Sequence, residues 1–277
     1  MKKGRIGVQM YSLAPHKDPN FDAYECLAKL REIGYRCVEV SQVNMTEKNL
    51  KGFRRAIDEL GFKIAATSVE TAPNPMSLDG DLSNPKERKK MIEDARFLEC
   101  DMFRIGAMPR EARTDLAAAI DYAKQVDDLA WVLKEQGIDL YYHNHHFELC
   151  RYDGKFLLDI LRDNTKQLGF ELDTHWIHRG GVDPVKLIEQ YAGRIRLLHL
   201  KDYRIASLED QIDFRDIIQF AEVGAGTLDM PKCIEAGLRG GSEYFLVEQD
   251  DSYGKDIYDC LKISHDNLVK MGYGDWF

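Results

Sequence analysis

Apolar runs of strand length alternate with segments of helix length eight times along this 277-residue chain. Strict β–α alternation lays the strands parallel, with the intervening helices covering them. The pattern predicts strands near 5–12, 35–42, 62–69, 102–108, 139–145, 168–175, 195–202 and 244–250. Helices are expected near 20–33, 46–60, 85–99, 111–136, 155–163, 183–190, 230–239 and 256–271. Leu50, Phe53, Ile57 and Leu60 fall on one helical face. Asn84-Pro85-Lys86-Glu87 reads as an N-cap, a first-turn proline and a capping-box acid, and Asp183-Pro184 opens a helix in the same way. The phrases Glu32-Ile33-Gly34-Tyr35, Glu59-Leu60-Gly61-Phe62 and Glu135-Gln136-Gly137-Ile138 each place glycine where a helix turns left-handed into the next strand. Runs such as Arg36–Val40 and Lys63–Thr67 are largely apolar, as strands covered by helices should be. Eight such units predict one closed (β/α)8 barrel domain over residues 1–277. No G-x-G-x-x-G follows the first strand, and Gly224-Ala225-Gly226 is too short a match to mean dinucleotide binding. The longest connection, about 203–229, has room for a lid or an interface.

Charge narrows the partners. Lys and Arg total 38 against 47 Asp and Glu, a formal charge of −9, which disfavours nucleic acid and anionic membrane surfaces. No segment reaches membrane-spanning length, and the start Met1-Lys2-Lys3-Gly4-Arg5 lacks the long apolar stretch of a signal peptide. Six scattered cysteines without a C-x-x-C pair suit a reducing compartment, so a cytoplasmic protein is expected.

Four runs in the second half stop at residues able to bind a metal. They are Asp139–Glu148, Gly169–His175, Arg196–Asp202 and Tyr244–Asp250. A lone Asp at a strand end is usually an Asx turn or a helix cap, and a lone His there is usually a hydrogen-bonded core residue. Parallel strands of one barrel bring their C-terminal ends to a single mouth, however, so these residues meet in space. Asp173, His199 and Glu248 end three successive units, and His143, His145, His146 and Glu148 cluster after the fifth strand. Carboxylates with an imidazole suit one divalent ion, Mn2+, Mg2+, Co2+ or Zn2+. Lys201, two residues after His199, shares its face and is a candidate substrate contact. Gln9, Glu39, Glu70 and Arg104 at the ends of the first four strands are further candidates. Trp131 and Trp176 read mainly as packing residues, with Trp176 also able to wall a sugar ring.

The motifs Gly7-Val8-Gln9-Met10-Tyr11-Ser12-Leu13, Tyr142-His143-Asn144-His145-His146-Phe147-Glu148, Glu171-Leu172-Asp173-Thr174-His175-Trp176, His199-Leu200-Lys201-Asp202 and Val247-Glu248-Gln249-Asp250 give the chain a nearly end-to-end likeness. It resembles the sugar phosphate isomerase/epimerase group of xylose-isomerase-like TIM barrels. That resemblance implies a metal held by a fifth-strand glutamate, Asp173, His199 and Glu248. Many relatives carry the glutamate at the strand end, where this chain has His143. Glu148, five residues further on, is the expected ligand, and His143 the alternative, otherwise a substrate contact.

The chemistry so implied starts with removal of a proton next to a carbonyl, with the metal stabilising the enediolate. His145 is the first choice of base, because it follows His143 by two. His175 follows Asp173 in the same way, and Glu148 remains a candidate if it is not a ligand. Orienting a neighbouring ligand, without touching substrate, is the alternative role for both histidines. The leading expectation is an isomerase or epimerase acting on a keto sugar or inosose. Its close competitor is a dehydratase or lyase, including one acting on 3-keto-glycosides, because the same enolate can expel a β-substituent. An endonuclease IV-like DNA repair enzyme is disfavoured by Ser68 in place of a third-strand histidine and by the net charge. A non-catalytic ligand-binding barrel is the remaining option. No phosphate cradle follows the seventh or eighth strand, which favours an unphosphorylated keto sugar or polyol. A homo-oligomer is compatible with the chain.

Overall fold

The computed structural model describes residues 3–207 and 217–277. The barrel strands are β1 (Arg5–Gln9), β2 (Cys37–Val40), β3 (Lys63–Glu70), β4 (Met102–Ile105), β5 (Asp139–His143), β6 (Gly169–Asp173), β7 (Ile195–Leu200) and β8 (Tyr244–Val247). Each is parallel to its neighbours, and pairing of β8 with β1 closes the ring. The eight predicted strands and the single (β/α)8 barrel are therefore present.

The helices are α1 (Ala23–Ile33), α2 (Glu47–Leu60), α3 (Pro85–Phe97), α4 (Leu116–Lys134), α5 (Leu157–Asp163), α6 (Thr174–Arg179), α7 (Pro184–Gln190), α8 (Met230–Gly240) and α9 (Ile257–Leu268). Local chemistry sets their ends as expected. Asn84 accepts from Lys86 N ahead of α3, and Gly61 and Gly137 leave their helices at φ of 72° and 79°. Two details differ from expectation. The segment read as one helix over 111–136 is a 3-10 turn, Arg110–Arg113, followed by α4, with Asp115 capping the second piece at Ala118 N. The sixth unit carries two helices, because α6 begins directly at the end of β6. In the long connection, Asp202–Ile205 and Ile218–Ala221 pair antiparallel, and residues 208–216 lie outside the described residues.

The main core lies between strands and helices, with Val8, Ile64, Phe103, Phe170, Leu198 and Phe245 among its fully buried members. Inside the barrel each strand follows a two-residue period. At the N-terminal end Cys37, Ala66, Met102, Tyr141, Leu197 and Leu246 form an apolar floor. Gly169 completes it, since a Cβ there would come within 2.3 Å of the Tyr141 ring. Two residues further along, the inward positions become Gln9, Glu39, Ser68, Arg104, His143, Glu171, His199 and Glu248, all buried. One more step brings Tyr11, Ser41, Glu70, Gly106, His145, Lys201 and Asp250 to the wall of a cavity of about 500 Å³ at the mouth.

Candidate active site

A buried ionic tier sits directly on the floor. Gln9 Nε2 donates to Glu39 Oε1 at 2.5 Å, and Arg104 Nε reaches Glu39 Oε1 at 3.1 Å and Glu171 Oε2 at 2.9 Å. Arg104 Nη1 donates to Ser68 Oγ at 3.2 Å. Gln9 and Glu39 do not line the cavity, contrary to the expectation of substrate contact. They share the layer of His143, His199 and Glu248, but their polar atoms are engaged with each other, with Arg104 and with His199. Arg104 does reach the cavity wall, but its charge is held by the two carboxylates.

In the same layer His143, His199 and Glu248, together with Asp173 one step nearer the mouth, each offer a ligand atom, all within 4.8 Å of one another. His199 Nδ1 is 3.0 Å from Glu248 Oε2 and 3.6 Å from Asp173 Oδ2, while His143 Nε2 is 3.5 Å from Asp173 Oδ2. Asp173 combines a helix cap with a place in the cluster. Its Oδ1 caps α6 by accepting from Trp176 N at 2.9 Å, leaving Oδ2 for the cluster. Asn144 Oδ1 accepts Asp173 N at 3.0 Å and fixes the backbone there.

The donor set fits a divalent cation. Among the described residues, His143 Nδ1 and Nε2 and Asp173 Oδ2 are buried without a hydrogen-bond partner, an expensive state for polar atoms unless something else satisfies them. The far nitrogen of His199, Nε2, faces Glu171 Oε1 at 3.2 Å and Glu39 Oε2 at 3.4 Å. A carboxylate behind a ligating imidazole fixes its tautomer and orientation. Charges tell the same story. Burial alone would lower the His199 imidazole, yet Glu171, Glu248 and Glu39 hold it well above its ordinary value. Burial would raise Asp173 and Glu248, yet Lys201 and the imidazoles hold both carboxyls low. Burial, reinforced by Glu171, pushes the Glu39 carboxyl up to about 8. The site carries surplus negative charge that a proton on His199 partly offsets.

Glu148 is not part of this group. Its Oε1 accepts from Tyr142 Oη at 2.5 Å and its Oε2 from His145 N at 2.8 Å, so the expected Glu148 stands outside the cluster and the alternative, His143, lies within it. The reason is reach. His143 is the inward residue at the end of β5, whereas Glu148 lies in a 3-10 turn (Phe147–Leu149) and folds back under its own loop. Burial raises the Glu148 carboxyl to about 7, although the Tyr142 hydroxyl and the His145 amide partly stabilise its charged form.

His145 lines the cavity beside His143, with the rings edge to face at 4.9 Å, and stacks on Phe147 at 5.2 Å. Burial, helped by His143 and Lys201, keeps its pKa well below the ordinary value, so the ring is neutral. His175 does not face the mouth. Its Nδ1 contacts Asp202 O at 3.0 Å and its ring stacks on Phe220 at 4.5 Å. The two-residue period stops at Asp173, because the chain is helical from Thr174, and a helical step turns His175 sideways. Trp176 is buried against His146, Lys201 and Phe220 and does not line the cavity. Lys201 Nζ does line it, held by Glu248 Oε2 at 2.9 Å and Asp250 Oδ1 at 2.7 Å. Glu70 is on the opposite wall, accepting from Asn74 Nδ2 at 3.1 Å. Near it Gln42 donates from N and Nε2 to Asp79 at 2.7 and 2.8 Å.

Glu171 and Asp250 escaped the sequence reading, although each lies two residues from a predicted ligand on an inward-facing series. Gln42, Asp79 and the arginines of the Arg110–Arg113 turn come from loops, where no period marks them.

The barrel and its mouth define a class: residues 27–258 match the xylose isomerase-like TIM barrel family model, and the chain belongs to that family. Among curated proteins it is 26% identical to an inosose dehydratase of Geobacillus kaustophilus, over 89% of this chain and 87% of that protein. It is 25% identical to the rhizopine catabolism protein MocC of Rhizobium meliloti, over 89% and 81% of the two chains. A sugar phosphate isomerase/epimerase structure from Parabacteroides distasonis superposes with a TM-score of 0.75 at 21% identity, covering 98% of this chain and 99% of the other. The IOLI protein, solved with a bound zinc atom, gives 0.64 at 13% identity and covers 99% of each chain.

Proposed function

We propose that this protein is a divalent-metal-dependent enzyme that removes a proton beside the carbonyl of an inosose or keto sugar and expels the substituent on the next carbon. That is a dehydratase or lyase reaction. The observation that carries this reading is the meeting of His143, Asp173, His199 and Glu248 beneath a cavity that a neutral His145 enters. A cation held by those four residues would supply Lewis acidity to the carbonyl oxygen and its neighbouring hydroxyl. Two imidazoles favour Zn2+, Mn2+ or Co2+ over Mg2+, which prefers oxygen donors.

The remaining steps belong to the chain's own side chains. His145, kept neutral by burial, accepts the α-proton. The Lys201 ammonium supplies fixed positive charge where the substrate oxygen becomes negative. The imidazolium of His145 then returns its proton to the departing oxygen as the carbon–oxygen bond breaks, and water or an alcohol leaves. One base on one face suffices for this cycle. Inversion of a stereocentre needs a second proton donor on the other face, and His175, which the sequence offered for that role, is turned away. The inosose dehydratases among the curated relatives favour the same direction. A single base also suits an aldose–ketose isomerisation through the same enediolate, which is the second reading.

Turnover of an inosose in deuterated water separates the two. Elimination removes one water per product molecule, whereas isomerisation incorporates deuterium with no loss of a group. His145→Ala should slow both by orders of magnitude and retain metal. Unchanged proton exchange in that variant would refute the assignment of the base.

A further inference from the structure

One wall of the cavity carries two arginines that form no ion pair among the described residues. Arg104 and Lys201 are held by carboxylates, as described above. Arg113, which is half-buried and lines the same cavity, is near enough to Glu148 to favour its charged form, yet among the described residues it forms no ion pair and its buried Nε has no acceptor. Its guanidinium carbon sits over the Phe147 ring, 4.1 Å from the centroid. Arg110 lines the cavity from the same 3-10 turn and is likewise unpaired among the described residues. Residues three apart eclipse in a 3-10 turn, so both side chains leave from one side. Glu111, between them, also reaches the cavity but ion-pairs with neither.

A stacked guanidinium with a desolvated, unsatisfied N–H is organised for a bidentate oxyanion. His145 stacks on the same Phe147, so this wall is adjacent to the proposed base. We propose that Arg113, assisted by Arg110, forms a subsite for an anionic group on the substrate, a carboxylate or a phosphate, carried away from the reacting carbons. The inference rests on the cavity being the sugar site. It adds that the natural substrate is an acidic sugar or cyclitol derivative, in which the metal end handles the ketone–diol portion and the arginine wall sets register.

Calorimetric binding of glucose, glucuronate and glucose 6-phosphate to zinc-loaded protein tests it. Glucuronate, glucose 6-phosphate or both should bind about tenfold or more tightly than glucose, the scale of a hydrogen-bonded charge pair, and whichever does so identifies the anion. Arg113→Gln should remove the preference while zinc content and glucose binding persist. Arg110→Ala, which leaves the Phe147 stack untouched, should reduce it in part. Equal binding of all three sugars, or a preference surviving in Arg113→Gln, overturns the subsite alone. Failure of all three to bind zinc-loaded protein overturns it together with the assignment of the cavity to sugars.

Discussion

The two ends of the barrel interior are built from the same eight strands and the same two-residue period, yet they obey opposite rules. At the floor Cys37, Ala66, Met102, Leu197 and Leu246 bury carbon against carbon. One step up, Glu39, Arg104, Glu171, His199 and Glu248 bury charge against charge. Apolar burial stabilises by roughly 25 cal/mol per Å2. A buried ion pair returns little beyond the desolvation it demands. The floor therefore holds the barrel closed, and the mouth spends some of that stability on a concentrated, pre-oriented field. Stability and chemistry are separated along the strand axis, so substitutions at the two levels should give separable phenotypes.

The sharpest contrast is expected at Asp173. Asp173→Asn keeps an oxygen to cap α6 but removes a charge from the cluster, so metal content and turnover should both collapse, while the metal-free protein loses only the modest stability that the depressed carboxyl contributes at neutral pH. Asp173→Ala should add a loss of about 0.5–2 kcal/mol from the missing cap. Next comes His145→Ala, expected to lower kcat by about 10²–10⁴-fold with metal retained, as measured by steady-state kinetics and metal analysis. At the floor, Leu246→Ala should destabilise by about 2–5 kcal/mol in denaturant unfolding, yet leave metal stoichiometry intact in the folded fraction. An equal loss of stability at both levels would break the comparison.

The smallest effect is that of pH. In the metal-free protein His199 is held above its ordinary value, so its contribution to stability is complete below about pH 6.5 and is lost as pH rises through the raised native value. Asp173 and Glu248 are held low, so their contribution is present above the ordinary carboxyl range and is lost as pH falls through their native values. A metal must displace the His199 proton, so its affinity should weaken about tenfold per pH unit below that native value. A titration of metal binding between pH 6 and 8 checks the slope.

The periodicity of the strands made the fold legible and put Asp173, His199, Glu248 and Lys201 at one mouth from sequence. The same rule, applied two residues back from Asp173 and two on from Glu248, would have found Glu171 and Asp250. It failed at His175 because the period changes from strand to helix at Thr174, a boundary that an Asp able to cap or to ligate does not announce. The expectation for Glu148 came from the family resemblance instead, and its carboxylate is claimed by Tyr142 and the His145 amide within its own loop. Arg113 and Asp79 were illegible for a different reason. They reach the cavity from loops, whose course depends on packing rather than on a repeating pattern.

Anomalous diffraction from crystals grown with Zn2+ or Mn2+ tests the central claim most directly. One strong peak should lie within about 2.0–2.2 Å of ligand atoms from His143, Asp173, His199 and Glu248 together. A peak bound to Glu148 in place of His143, or no peak at the mouth under saturating metal, would contradict it.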